Sequence, residues 1–328
     1  MTAIPNPTRL SPAPLHPAPL HPAPLHPAPL HPAPLSRTPL SRARDAELRR
    51  QEFAIAKKYS GGTPWRIVAW GLGNFAAWLT LWPLVMTGTL PLWAGFILAT
   101  VSITLSYLPS HEAQHSNIAR PGTKLRWLNE LVGHVSTLHL VFPFKTARIT
   151  HLEHHAHTNN PELDPDYSVT ANGWWDAIVT SVRNRIARET AGTNAAYRRA
   201  LDRVGGEAAA QARKEALIFT VSYWAILAGL AWSGFALEAL LLWWLPRHIA
   251  ITYIQLLLSW APHHPGVETG RYKDTRAFKY VFGNYAALGM EYHIIHHLHP
   301  AIPLHKNMAA YREMKPILEE RGCTLGGL

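Results

Sequence analysis

Histidines at helical spacing are the residues of this 328-residue chain best suited to chemistry. His111 and His115 lie in HEAQH, His151, His154 and His155 in HLEHH, and His293, His296 and His297 in HIIHH. Side chains three and four residues apart are neighbours on a helix surface, so each cluster predicts imidazoles projecting from one face. Imidazole suits iron, zinc, copper and nickel. These eight donors exceed the four that a tetrahedral zinc takes and match the needs of two metals. Surface decoration would not require ligand spacing to be kept in three separate clusters.

Two other readings start from the same residues. HEAQH is an H-E-x-x-H sequence, which on a helix gives zinc two histidines and a glutamate general base. A membrane zinc protease acting through Glu112 is therefore one alternative, although it leaves HLEHH and HIIHH unexplained. A non-catalytic membrane protein that stores or senses metal is the other.

The elements that must position the clusters come from the apolar runs. Ile67–Met86 contains no charged residue and is long enough to cross a hydrocarbon core. Leu90–Leu108 is a second run ending just before His111, and Thr87–Thr89 leaves room only for a tight turn between them. Ala216–Phe235 and Ala236–Trp260 repeat the arrangement. Four spans in two hairpins is the expected count, giving an all-α integral membrane fold with a helical cap that carries the metal site. Leu131–Phe144 is too short to span and reads as a re-entrant or interfacial segment.

Charge sets the orientation. Of the 31 Lys and Arg, nine lie at or before Arg66, thirteen between Arg120 and Lys214, and eight from Arg271 onward; Arg247 is within a span. The two short joins have none, so the positive-inside rule places both termini and residues 109–215 in the cytoplasm, at the inner membrane if the cell is bacterial. All three clusters then share one face. The formal net charge of +10 is explained by attraction to anionic lipid, and no nucleic-acid-reading motif accompanies it. The single cysteine, Cys323, excludes an internal disulfide and any CxxC motif and reads as an unremarkable thiol near a mobile end.

Residues 1–41 form an arm of HPAPL repeats, whose prolines deny helix and sheet hydrogen bonding. Its His16, His21, His26 and His31 read as repeat expansion without chemistry, with a metal-binding tail as the alternative. Residues 42–65 read as a basic amphipathic helix leading into the membrane, residues 66–320 as the catalytic domain and residues 321–328 as a tail. Arg247 and His248 fall near mid-span, where a charge marks function or a buried partner, unless the span boundaries lie elsewhere. His134, His139, His157, His299 and His305 read as supporting or surface residues. Asp164 and Asp166 either orient imidazoles or build turns around Pro161 and Pro165, and Glu153 and Glu291 are solvated or supporting.

The order of the clusters around paired hairpins resembles the membrane fatty-acid desaturase and hydroxylase superfamily over roughly residues 65–320. HLEHHAHTNNPELDPDYS and the late YHIIHHLHPAIP, Tyr292 to Pro303, are similar to the branch that includes beta-carotene hydroxylases. The resemblance implies two iron ions, O2 as co-substrate and two electrons from a carrier, used to desaturate or hydroxylate a long lipid. A fatty-acyl substrate is expected ahead of a carotenoid. It also implies a ninth ligand near the cytoplasmic end of the fourth span, where APHHP offers His263, the favoured residue, and His264. His264-Pro265-Gly266 begins like a cytochrome b5 haem motif, but Val267 breaks it. The electron donor is therefore expected to be a separate ferredoxin, rubredoxin or cytochrome b5-type protein.

Overall fold

The computed structural model describes residues 40–187, 191–278 and 287–326; the HPAPL repeats and their histidines lie outside the described residues. The described chain is mostly helical. Ser41 opens α1 (Arg42–Tyr59) by accepting from the Arg44 amide through its hydroxyl, a hydroxyl N-cap that satisfies one orphan donor of the first turn. α1 turns Leu48, Glu52 and Ala56 inward against the C-terminal helix Asn307–Glu320. The helix expected to lead into the membrane thus packs on the C-terminal helix, and two of its basic residues pair with acids there: Arg44 with Glu320, Lys58 with Glu313.

Among the described residues, three helices are long and apolar enough to cross a membrane: α2 (Trp65–Met86), the nearly continuous pair α3 (Leu92–Thr104) and α4 (Tyr107–Gln114), and α9 (Gly206–Trp232). α2 and α9 match the apolar runs, but α9 starts ten residues early because the polar stretch before Ala216 is also helical. The second run continues through His111 instead of stopping before it. Gly71 of α2 lets α5 (Arg126–Ser136) approach, since a Cβ there would meet Ser136 Oγ at 2.6 Å.

The fourth apolar run is helical from Ala236 to His263 but irregular. α10 (Ala236–Ala239), α11 (Leu245–Ile254) and α12 (Ala261–His263) are joined by π turns at Leu240–Trp244 and Gln255–Trp260. Each π turn ends two residues before a proline, Pro246 and Pro262. Proline lacks an N–H and crowds the carbonyl four residues back, and widening the preceding turn relieves that clash. The carbonyl so released by Pro246, on Leu242, accepts from Trp78 Nε1 of α2 at 3.0 Å. The charge within this run is answered the same way: Arg247 donates to the Leu140 carbonyl at 2.9 Å and lies 5.5 Å from the centre of the Tyr223 ring.

Leu131–Phe144 divides between the end of one helix, a turn and the start of the next. α5 ends at Ser136, the chain turns with Val141 at φ 56°, and Pro143 starts α6 (Phe144–His157). α7 (Trp174–Ile186) and α8 (Gly192–Val204) pack on each other, and α8 also packs on α6 and α9. The C-terminal tail is also part of the domain. Thr324–Leu325 pairs in parallel with Arg276–Ala277, and Cys323 packs into the adjoining cluster, where burial pushes its thiol up to about 12.

Candidate metal centre

Four elements deliver the histidines. α4 supplies His111 and, at its C-terminal end, His115; α6 supplies His151, His154 and His155; the helix His293–Leu298 supplies its three; and α12 ends on His263. The ring nitrogens fall into two groups of four. His111, His115, His151 and His296 form one group, and His154, His263, His293 and His297 the other, with the donor atoms of each group within 4.8 Å of one another. The second and third clusters are thus divided between both groups. His155 bridges them: its Nε2 lies 3.1 Å from that of His151 and 3.0 Å from that of His296, and its ring stacks on His297 at 4.0 Å.

These contacts suit cations better than they suit one another. Nε2 of His115 and His151 approach to 2.7 Å, and Nε2 of His263 lies 3.2 Å from that of His154 and 3.1 Å from that of His293. Two neutral imidazoles can share one proton, but convergent triplets leave lone pairs facing lone pairs. Both ring nitrogens of His111, Nδ1 of His293 and Nε2 of His297 are buried without a hydrogen-bond partner, an uncommon condition for buried polar atoms. Burial first, and neighbouring imidazoles second, hold His151, His155, His293, His296 and His297 well below the ordinary histidine range. Neutral rings with free lone pairs are what a metal requires. The two histidine groups can therefore hold metal.

His154 differs. Burial pushes it down, but the Asp164 carboxylate beside Nδ1 overcomes this and holds it up at about 9. Asp164 is itself fixed by the amides of Asn159 and Asp166, each at 2.8 Å, so the residue both orients an imidazole and builds a turn. Asp166 accepts from the Tyr197 hydroxyl at 3.1 Å and touches no box histidine by hydrogen bond. His263 Nδ1 lies 3.2 Å from the Asp274 carbonyl. That contact turns Nε2 of His263 toward its group, while His264 packs its ring on Trp260 and joins neither group.

The remaining histidines do other work. His134 meets the Glu215 carboxylate at 3.1 Å, His139 sits among Phe75 and Trp78 near Asn74, and His248 packs on Trp244. His157 lies 3.9 Å from Glu153, His305 is exposed, and Glu291 is buried. His299 lies 2.9 Å from Glu52 of α1, a fully buried carboxylate that also receives Arg271 and Tyr272. Sequence reading missed Glu52. Its signal was an acid between Leu48 and Ala56 at four-residue spacing, on the inward stripe of a basic helix.

Known proteins are similar to this chain in sequence. An sn-1 oleoyl-lipid 12-desaturase of Anabaena variabilis is 34% identical over 108 residues, 33% of this chain and 26% of the relative. A chloroplastic omega-3 fatty acid desaturase of Glycine max is 24% identical over 306 residues, covering 80% of this chain and 63% of its own length. A zeaxanthin 4-ketolase of Chlamydomonas reinhardtii is 31% identical over 91 residues, 26% of this chain and 20% of the ketolase. The chain thus spans under two thirds of the length of each of these relatives. The fatty acid desaturase model matches residues 87–327, which include every histidine of both groups. With most of its length matched and its three histidine clusters brought together, the chain belongs to the fatty acid desaturase family.

Proposed function

We propose that this chain is a membrane-embedded, non-haem di-iron oxidoreductase that desaturates the acyl chain of a lipid. The observation that carries the reading is the pair of adjoining four-histidine groups, too rich in donors for one zinc. His111, His115, His151 and His296 would hold one iron, and His154, His263, His293 and His297 the other, with His155 between them. Iron bound there supplies, with O2 and two electrons, the oxidising power to take hydrogen from an unactivated C–H bond.

The chain's own contribution is placement. Neutral imidazoles bring the metals together without adding negative charge. Asp164 holds a proton on Nδ1 of His154 and turns Nε2 toward its group, where a proton would give way to metal, and the Asp274 carbonyl orients His263 in the same way. The apolar helices α2, α3 and α9 give a lipid chain a dry approach.

The fourth apolar segment, Ala236–His263, serves in this reading as a fourth span, continuous in helix despite its two π turns. The distribution of Lys and Arg supports a cytoplasmic side for both termini and the histidine groups. There a separate ferredoxin, rubredoxin or cytochrome b5-type protein has access to deliver electrons. The protease reading falls away. A zincin needs only one ligand beyond HEAQH, whereas seven further imidazoles converge here, and Glu112 Oε1 is held by the Leu304 amide.

Two of the relatives named above are acyl desaturases, which favours an acyl chain. The ketolase relative and the YHIIHHLHPAIP segment favour a carotenoid as the second reading. Both are tested by expressing the chain, beside a His154→Ala control, in a bacterium that accumulates beta-carotene. Acyl chains that lose two hydrogens only with the intact chain are the expected result. Oxygenated carotenoids with unchanged acyl chains would move the substrate to the pigment.

A further inference from the structure

The glutamate of HEAQH is left over from the metal chemistry. It is fully buried, one residue from His111, and its carboxylate reaches across 192 positions of sequence to accept from the Leu304 amide at 3.2 Å. Five residues on, a second bond joins the same two segments: Asn117 Nδ2 donates to the Pro300 carbonyl at 2.9 Å. Between them α4 ends, and Ser116 at φ 60° turns the chain so that Asn117 faces Pro300 while its own amide closes on the Glu112 carbonyl. A non-glycine residue in that region is uncommon and strained, and Arg126 holds it by donating to Ser116 Oγ at 2.9 Å.

On the other side, residues 299–304 leave the third histidine helix. That helix is short, six residues, and ends two residues before Pro300. A helix this short has little stability of its own, so its placement depends on what grips its ends. Glu112 and Asn117 grip the segment directly after it, and His296 of that helix belongs to the same group as His111.

We infer that Glu112 and Asn117 are positioning residues, a two-bond clamp that sets the separation of the first and third histidine clusters. Glu112 acts as a hydrogen-bond acceptor and not as an acid or base. The inference rests on the di-iron reading and adds a role to it.

Glutamine separates the two roles, because its Oε1 accepts from Leu304 as the carboxylate does but takes no proton. Glu112→Gln, Glu112→Ala and Asn117→Ala are purified in detergent beside the native chain, and iron per chain and turnover are measured on each. Glu112→Gln is expected to keep at least half the native iron and turnover. Glu112→Ala and Asn117→Ala are expected to lose iron and to lower kcat at least tenfold, with KM changed less than threefold. Glu112→Gln that keeps its iron yet loses turnover would overturn the clamp and assign Glu112 a proton. Native iron and turnover in both alanine variants would overturn it as well. If Glu112→Ala does not fold, Glu112→Gln and Asn117→Ala still decide. A native chain that binds no iron would instead sink the di-iron reading, and the clamp with it.

Discussion

Nδ1 of His154 lies 2.9 Å from Oδ1 of Asp164, and both side chains are almost wholly buried. This pair joins the second histidine cluster to the turn that follows it and fixes which nitrogen of His154 faces the other imidazoles. Carboxylates that orient ligand histidines typically contribute tenfold to a hundredfold in metal affinity or activity. Asp164→Ala is therefore expected to lower iron retention and turnover by about that range, read as iron per chain and product per iron. Native values for both would show that the contact is only part of the turn.

His263 and His264 are adjacent in sequence but face different surroundings. His263 completes a four-nitrogen group, whereas His264 packs on Trp260. His263→Ala should abolish turnover and His264→Ala should leave most of it. The reverse order of damage would reassign the ligand.

Glu52 gives the packing of α1 a pH dependence of known sign. Burial alone would push its carboxyl up, but hydrogen bonds from His299, Arg271 and Tyr272 outweigh that and hold it at about 2. A carboxylate depressed in the folded state stabilises above its unfolded value and loses that contribution as pH falls toward the folded one. The difference in melting temperature between the native chain and Glu52→Gln should be steady from pH 5 to pH 8. It should shrink below about pH 4.5, the ordinary carboxylate range. A difference that stays constant down to pH 3 would contradict the assignment.

Glu215 of α9 accepts from the amides of Phe144 and Lys145 at 2.9 and 3.3 Å, capping the helix that carries the second cluster. Loss of such a cap costs about 1–2 kcal/mol. Glu215→Ala should lower the melting midpoint measurably, with Glu215→Gln intermediate. An unchanged midpoint in the alanine variant would remove the cap from the list of supports.

The histidine clusters and the apolar runs were legible because each depends on short-range spacing or on uninterrupted composition, whereas His263 was proposed only from the family resemblance. The division of HLEHH and HIIHH between two groups was not. Helical spacing says which imidazoles share a face, but the face of α6 meets two different partners, and only the packing of α4 and α12 on either side assigns them. The docking of α1 was hidden for a related reason. A run of basic residues signals a membrane surface, while the side that turns inward rests on Leu48, Glu52 and Ala56, one of them charged. The π turns were foreshadowed by Pro246 and Pro262, yet apolar composition alone reads through both.

Iron bound to the purified chain tests the central claim most directly. Protein extracted in mild detergent with its metal retained should carry close to two irons and negligible zinc, and His154→Ala should carry fewer. One zinc per chain with no iron would contradict the di-iron centre and return HEAQH to the hydrolytic reading.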